Sequence, residues 1–360
     1  MKKRILIFSI LACFLLTSCT QKADTAESNG TTLPTEEVEV TTSAVTTTAK
    51  KTIIYPDTID FDDEEEILEI FDMSDLLPGI TTTVKKAKSQ IIQTCTVAGT
   101  EFSFTIGLSK WAGLTSPEQI VQCARTFWYC YPQMYARFQV EGTPVNVTLN
   151  IENEGYEVAS TSGGTVHIHD NWLATHSTDY DCLTHEFGHV VQSGWSGGYV
   201  PSSGEDTYMI ERFADYCRYV YAYRDGQYND KVWTLQTSKT ESSYASSNRF
   251  WVWLDYTYST DEIDIMQRMQ HLIKSESRDY AARFWNSGGK AWTEVFKGTG
   301  AAGKTLDDLW EEFTGLDFST LDATVNSSRK GGTSKLLKAY PVRETIKGRN
   351  KDAMSYLIEE

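Results

Sequence analysis

His185-Glu186-Phe187-Gly188-His189 sets two imidazoles four residues apart, with a carboxylate next to the first. On an α-helix, residues four apart share a face, so both rings can reach one metal ion. Glu186 then stands where it can take a proton from a water on that ion. Zn2+ is the ion that brings such a water's pKa toward neutrality. Glu211-Arg212-Phe213-Ala214-Asp215 adds further carboxylates, with Glu211 lying 22 residues beyond His189. Between the two motifs run Ser193-Gly194-Trp195-Ser196-Gly197-Gly198 and Pro201-Ser202-Ser203-Gly204, a stretch whose turn-forming residues predict a break in the helix. A second helix, starting near Thr207, can return antiparallel with Glu211 level with His189 and Asp215 level with His185. In that register Glu211 is the expected third ligand. Asp215 is the expected acceptor for the outer N–H of His185, the contact that fixes ring orientation. Two histidines, one glutamate and an open position make the catalytic rather than the structural zinc pattern. The alternatives are Asp215 as third ligand, or an ion-paired helix contact with no metal.

These motifs resemble those of the basic secretory protein family, a group of zinc-dependent peptidases whose pattern reads approximately HExxHxxQ, a Gly-rich loop, then EGxADY. Here they stand as His185-Glu186-Phe187-Gly188-His189-Val190-Val191-Gln192 and Glu211-Arg212-Phe213-Ala214-Asp215-Tyr216. The resemblance runs from about residue 100 to 320 and takes in Val147–Ile151, Gly163–His169 and Arg249-Phe250. It implies an α/β, zincin-like metallopeptidase, with a small mixed sheet packed on the HExxH helix and then a mainly helical half. It implies His185 and His189 as ligands, Glu186 as general base, and Glu211 and Asp215 in the roles argued above, as in thermolysin-like enzymes. By the same resemblance, Tyr244 is the candidate donor to a transition-state oxyanion, with a structural tyrosine as the alternative. Arg212 stands where the family has glycine, which leaves a helix intact. The chain is also acidic where the family name says basic, so only the catalytic core carries over.

Lys2, Lys3 and Arg4 precede a short apolar run, Ile5 to Leu16, which predicts an export signal and is too short to span a bilayer. The run closes on Leu16-Thr17-Ser18-Cys19, which looks like a bacterial lipobox. Residues 1–19 are thus the expected lipoprotein signal peptide and Cys19 the lipidation site; the alternative is an ordinary cleaved signal. Processing removes three basic side chains, leaving 30 against 49 acidic ones and a formal charge of −19. That balance disfavours nucleic acid or anionic lipid as a partner, and the expected link to a membrane is the N-terminal lipid alone. Residues 20–52, rich in Thr, Ser, Ala and Glu, are expected to form a disordered tether. Residues 53–99 read as an acidic extension. Its cluster Asp62-Asp63-Glu64-Glu65-Glu66 lacks the regular ligand spacing of a calcium loop and predicts a solvated helix or strand edge. The peptidase domain is assigned to 100–325 and a C-terminal extension to 326–360.

Ser116-Pro117-Glu118 predicts a helix start. Glu141-Gly142-Thr143-Pro144 predicts a turn into a strand over Val145–Ile151, and Thr165–His169 alternates as a strand does. His167 and His169 fall on one face, but with no carboxylate at ligand spacing besides Asp170 they are expected to border the cleft, not to hold a second metal. His176 and His271 read as surface residues. Phe250, Trp251, Trp253 and Leu254, then Ile263, Ile265, Met266, Met269 and Leu272, and later Leu306, Leu309, Trp310 and Phe313, form core stripes at helical spacing. This helical half is expected to close the cleft, putting the site between two lobes. Five cysteines remain once the signal is set aside. Cys123 and Cys130 would stand about 10.5 Å apart along one helix, beyond the roughly 7 Å Cα limit of a disulfide. Cys217 is expected to face away from the HExxH helix, which argues against a bridge to Cys182. Cys182 is disfavoured as a nucleophile, because its thiolate would compete as a zinc ligand.

The expectation is therefore an exported, lipid-anchored zinc metalloendopeptidase at a bacterial surface or otherwise outside the cytoplasm, acting on protein or peptide. One rival is a peptidase or amidase directed at carbohydrate-bearing substrates, with Trp195 and Tyr199 stacking on sugars. The other, from a different class, is a catalytically silent surface binding protein of the same fold; an intact Glu186 argues against it.

Overall fold

The computed structural model describes residues 53–153, 158–196 and 204–221, together with 251, 253–255, 257–260, 262–275 and 290–314. The chain divides into two compact units, Met1–Lys51 and Thr52–Glu360, of which the first lies outside the described residues. The signal peptide, Cys19, the tether, Tyr244, Arg249 and the 326–360 extension also lie outside them.

Alternation of apolar side chains builds the sheet. Strand β2 (Gln90–Val97) buries Ile91, Cys95 and Val97; β3 (Thr100–Lys110) buries Phe102, Phe104, Ile106 and Leu108. Strand β4 (Asn146–Glu152) buries Val147, Leu149 and Ile151, and β6 (Thr165–His169) buries Val166 and Ile168. With a side-chain period of two, all of these fall on one face. Strands β1 (Thr81–Lys85) and β5 (Ala159–Ser162) form the edges of a mixed six-stranded sheet in the order β1-β2-β3-β4-β6-β5. Pairing is antiparallel from β1 to β3, parallel through β4 and β6, and antiparallel again at β5.

Parallel strands need a long crossover, and between β3 and β4 it is helix α2 (Pro117–Phe138). Its start is set as the sequence predicts: Ser116 Oγ accepts from the Gln119 N–H, and Gln119 Oε1 accepts from the Ser116 N–H at 2.9 Å. Asp170 holds the loop before it, its carboxylate accepting from the N–H groups of Ala112, Leu114 and Thr115 at 2.7–3.1 Å. Helix α1 (Glu64–Ile70), capped by Asp63, turns its glutamates outward and buries Ile67 and Ile70, in line with a solvated acidic helix.

Residues 53–99 are not an appended extension. They supply α1, β1 and β2, and the boundary expected near residue 100 falls inside the β2–β3 hairpin. Nor is there a division into two lobes among the described residues. One continuous apolar cluster runs from Ile59 to Phe313.

After β6 every described regular element is helical: α3 (Asp170–Thr175), α4 (Asp181–Ser196), α5 (Gly204–Tyr221), α6 (Ile265–Ser275), α7 (Lys290–Phe296) and α8 (Leu306–Thr314). The expected apolar stripes lie in the core, with Trp251, Trp253, Leu254, Ile265, Met266, Met269, Leu309 and Phe313 buried. No described helix is long and apolar enough to cross a membrane. Helix α4 does not break at Ser193-Gly194 as expected but runs on to Ser196, and α5 begins at Gly204 rather than near Thr207. Serine and glycine each lower helix propensity by only about 1 kcal/mol or less, and Ser193 Oγ donates to the Val190 carbonyl at 2.7 Å within the continuing helix.

Helix α4 packs between α2, α5 and strand β5. Phe187 seats it, meeting Phe104 of β3 and Phe127 and Tyr131 of α2 at ring centroid distances of 5.3–6.2 Å. At the far end of α2, the buried Arg137 gathers the helical half. Its guanidinium donates to Asp255 at 3.1 Å, to Asp264 at 2.6 Å and to the Tyr216 hydroxyl of α5 at 2.6 Å. Tyr216 in turn donates to Asp255 at 2.7 Å, so the orientation of α5 is tied to α2. Replacing Arg137 by Met would strand the fully buried Asp255 without its cation. Arg137→Met is expected to lower the unfolding free energy of the metal-free protein by about 3–5 kcal/mol, read by urea denaturation. A loss under about 1 kcal/mol would mean that the network is not anchoring α5.

Candidate metal centre

Helices α4 and α5 run antiparallel and touch at four levels. Arg218 of α5 donates to Asp181 at the start of α4 at 2.7 Å and to Asp179 at 3.0 Å. One turn along, Asp215 meets His185. At the next level Gly188 faces Ala214 and Cys217, and beyond it Glu211 reaches both histidines. Space is tight in the middle: a Cβ on Gly188 would lie 3.1 Å from Ala214 Cα and 3.2 Å from Cys217 Cβ, so its neighbours would have to give by a few tenths of an ångström. Cys217 therefore faces α4, against expectation, because it lies one turn beyond Ala214 at the edge of the contact, where the missing side chain of Gly188 leaves room for it. All five described cysteines are nonetheless free and buried, with no Cys182–Cys217 or Cys123–Cys130 bridge. Burial pushes the Cys182 and Cys123 thiols well up, away from the reactive thiolate form.

The expected ligands converge. His185 Nε2 lies 3.1 Å from His189 Nε2 and 3.1 Å from Glu211 Oε2, and His189 Nε2 lies 3.5 Å from that same oxygen. Zinc–nitrogen bonds of about 2.0–2.1 Å imply a tetrahedral edge of about 3.3–3.4 Å between ligand atoms. The three observed separations bracket that edge, so two imidazoles and one carboxylate fit a single tetrahedral ion with a fourth position open. Among the described residues this is the one group of three donors close enough to share an ion. His167, by contrast, bonds to a carboxylate that the sequence did not put near it: Glu152 Oε1 of the neighbouring strand β4, at 2.8 Å. His169 Nδ1 accepts from the Asn171 N–H at the start of α3, and Asp170 is spent on the loop before α2. His176 stacks on Trp172 with centroids 3.7 Å apart.

The outer nitrogens are held as well. His185 Nδ1–H donates to Asp215 Oδ1 at 2.7 Å, which is the contact expected of Asp215 and leaves Glu211, not Asp215, facing the donor cluster. His189 Nδ1–H donates to Gln192 Oε1 at 3.0 Å. Gln192 is part of the motif, yet its role was not drawn from the sequence; its position one turn beyond His189 was the available signal. Glu186 is 8 % exposed, and its Oε2 accepts from Thr161 Oγ1 of β5 at 2.6 Å. Nothing in the sequence pointed to Thr161. The Trp195 side chain and Tyr199 lie outside the described residues.

Charge in the cluster is strongly coupled. Burial disfavours the cationic form of His185, but Asp215 and Glu211 outweigh it and hold its pKa well above the usual histidine range. His189 is raised as well, burial again being overcome by Glu211. Burial would raise Glu211, but the two histidines hold its carboxyl well below the usual range. The raised pKa favours, in the metal-free protein, a His185 ring with two N–H groups, one toward each carboxylate.

No protein-family model, curated protein or solved structure matches this chain.

A metal ion at this cluster must displace the His185 proton, because a ligand nitrogen has to present its lone pair. Zinc titrated into the metal-free protein at pH 7 is expected to release about one proton or more per ion. Calorimetry in two buffers of different ionisation enthalpy reads this number. The sign is fixed by the raised pKa: release is largest below it and declines as pH rises through it, while Glu211, already ionised, contributes none. Binding without proton release at pH 7 would contradict the charge arrangement.

Proposed function

We propose that the protein is a zinc-dependent metalloendopeptidase of zincin-like fold, related to the basic secretory protein family, with His185, His189 and Glu211 as ligands and Glu186 as general base. The observation that carries this reading is the convergence of three donor atoms at tetrahedral-edge distances, with the Glu186 carboxylate on the same helix as the two histidines. Bound Zn2+ would polarise a carbonyl and make water a nucleophile near neutral pH. The protein's own groups do the rest. Asp215 and Gln192 fix the two imidazoles by their outer N–H groups, and Phe187 and Gly188 hold α4 against the core and α5. Glu186 takes the proton of the attacking water and delivers it to the departing amine nitrogen, a transfer for which its place beside His185 is suited.

The sequence adds the setting: export by residues 1–19 and anchoring through lipid on Cys19, with protein or peptide substrates outside the cytoplasm. Cys19→Ala is expected to move the protein from the detergent phase to the aqueous phase without changing turnover, since each buried methylene contributes about 0.8 kcal/mol to membrane attachment. Wild-type protein found wholly in the aqueous phase would remove the anchor from the reading.

Two substitutions separate the roles within the site. Glu186→Ala is expected to abolish hydrolysis of a generic protein substrate while keeping close to one zinc per chain, because Glu186 is not a ligand. Glu211→Ala is expected to lose zinc and activity together. Elemental analysis beside a casein-type assay reads both. Full zinc in Glu211→Ala would move the third ligand to Asp215, and a wild type without chelator-sensitive turnover would favour a binding protein.

A further inference from the structure

Thr161 stands on the edge strand β5, outside every motif, yet it makes the single hydrogen bond to the Glu186 carboxylate among the described residues. Its Oγ1 lies 2.6 Å from Glu186 Oε2 and 3.2 Å from the Glu186 backbone oxygen. Strand register explains how it gets there. Thr161 pairs with the buried Val166, so its side chain rises from the sheet face on which α4 packs. A threonine suits the position on two counts: its branched Cβ fits a strand, and its χ1 is stiff.

We propose that Thr161 is a positioning residue for Glu186, holding Oε2 so that Oε1 is turned toward the water to be activated. This rests on the metallopeptidase reading and adds to it a residue that neither the motifs nor the ligand set contains. Donation to Oε2 gives the arrangement a second property. A hydroxyl has one proton to donate and two lone pairs to offer. While Glu186 is a carboxylate, Thr161 donates to Oε2. Once Glu186 has taken a proton from water on Oε1, Oε2 becomes the carbonyl oxygen of the acid and still accepts from the same hydroxyl. The carboxyl group is then gripped in the same place in both halves of turnover. The proton passes from water to Glu186 to the amine nitrogen, and Thr161 ends with the proton it began with.

A strut between β5 and α4 is the competing role for the same hydroxyl, and the two differ in what they move. Thr161→Val keeps the shape and the strand preference and removes only the hydroxyl, whereas Thr161→Ser keeps the hydroxyl. Both are to be made in the full chain, with kcat, KM, zinc per chain and the melting temperature of the chelated protein measured on each. Thr161→Val is expected to lower kcat by roughly 10- to 100-fold, the usual effect of losing a hydrogen bond to a charged group, with KM, zinc content and apo melting unchanged. Thr161→Ser is expected to recover kcat to within about threefold of wild type, its hydroxyl being kept while the β-branch is lost. Wild-type kcat in Thr161→Val overturns the proposal and leaves the metallopeptidase reading standing. A loss of apo melting temperature or zinc that accounts for the lost activity, or a serine variant no better than valine, assigns the strut instead and also overturns it. Absence of chelator-sensitive turnover in the wild type overturns the metallopeptidase reading itself, and this proposal with it.

Discussion

Helix α5 lies close enough to α4 for a carboxylate on one to reach imidazoles on the other because Gly188 presents no side chain at the crossing. With the Ala214 Cα only 3.1 Å from where a Cβ would stand, even an alanine there would have to be met by a shift of a few tenths of an ångström. The separations between His185, His189 and Glu211 span the same contact and are set by that spacing. The aromatic packing of Phe187 fixes the other side of α4, so the helix cannot retreat to relieve a larger residue.

That close approach gathers two histidines and three acidic groups into a space with little water, an arrangement that costs free energy unless each charge is partnered. The partnering is complete and unequal. His185 has an anion, Asp215, behind it, whereas His189 has the neutral amide of Gln192. Glu211 is shared by both rings, and Glu186 is kept apart, bonded across to the sheet. Two carboxylates close to the same histidines are therefore assigned to different partners. The Arg218 link to Asp181 and Asp179 closes the helix pair at its other end.

Much of this was legible in the chain because it is local. The Ser116 cap, the strand alternation at 145–151 and 165–169, and the level pairing of Asp215 with His185 all follow from short-range periodicity, and each is found. What was misread needed information from outside the segment. Ser193-Gly194 carries turn residues, but tertiary packing of α4 on its neighbours overrides their low helix propensity. Cys217 was turned away from α4 by counting residues around an ideal helix, whereas the gap left by Gly188 admits it. Residues 53–99 read as an extension on charge, yet alternate residues of β2 bury Ile91, Cys95 and Val97 in the common core, and only pairing with β3 reveals it. Thr161, Glu152 and Arg137 have partners 25, 15 and more than 100 residues away, and no spacing rule reaches them.

Thr161, His185, Glu186, His189, Gln192, Glu211 and Asp215 all come from one uninterrupted stretch, residues 161–215. The entropy of closing a loop grows only slowly with its length but must be met before the contact can form. Here every closure that assembles the cluster joins residues at most about thirty positions apart, so the cluster lies at the fast, low-contact-order end of the fold. The Arg137 network, which must bring residues more than 100 positions apart together, belongs to the slow end. A chain emerging from synthesis in N-to-C order would thus have a hairpin of helices with its donors in register before the later helices exist to lock it in place.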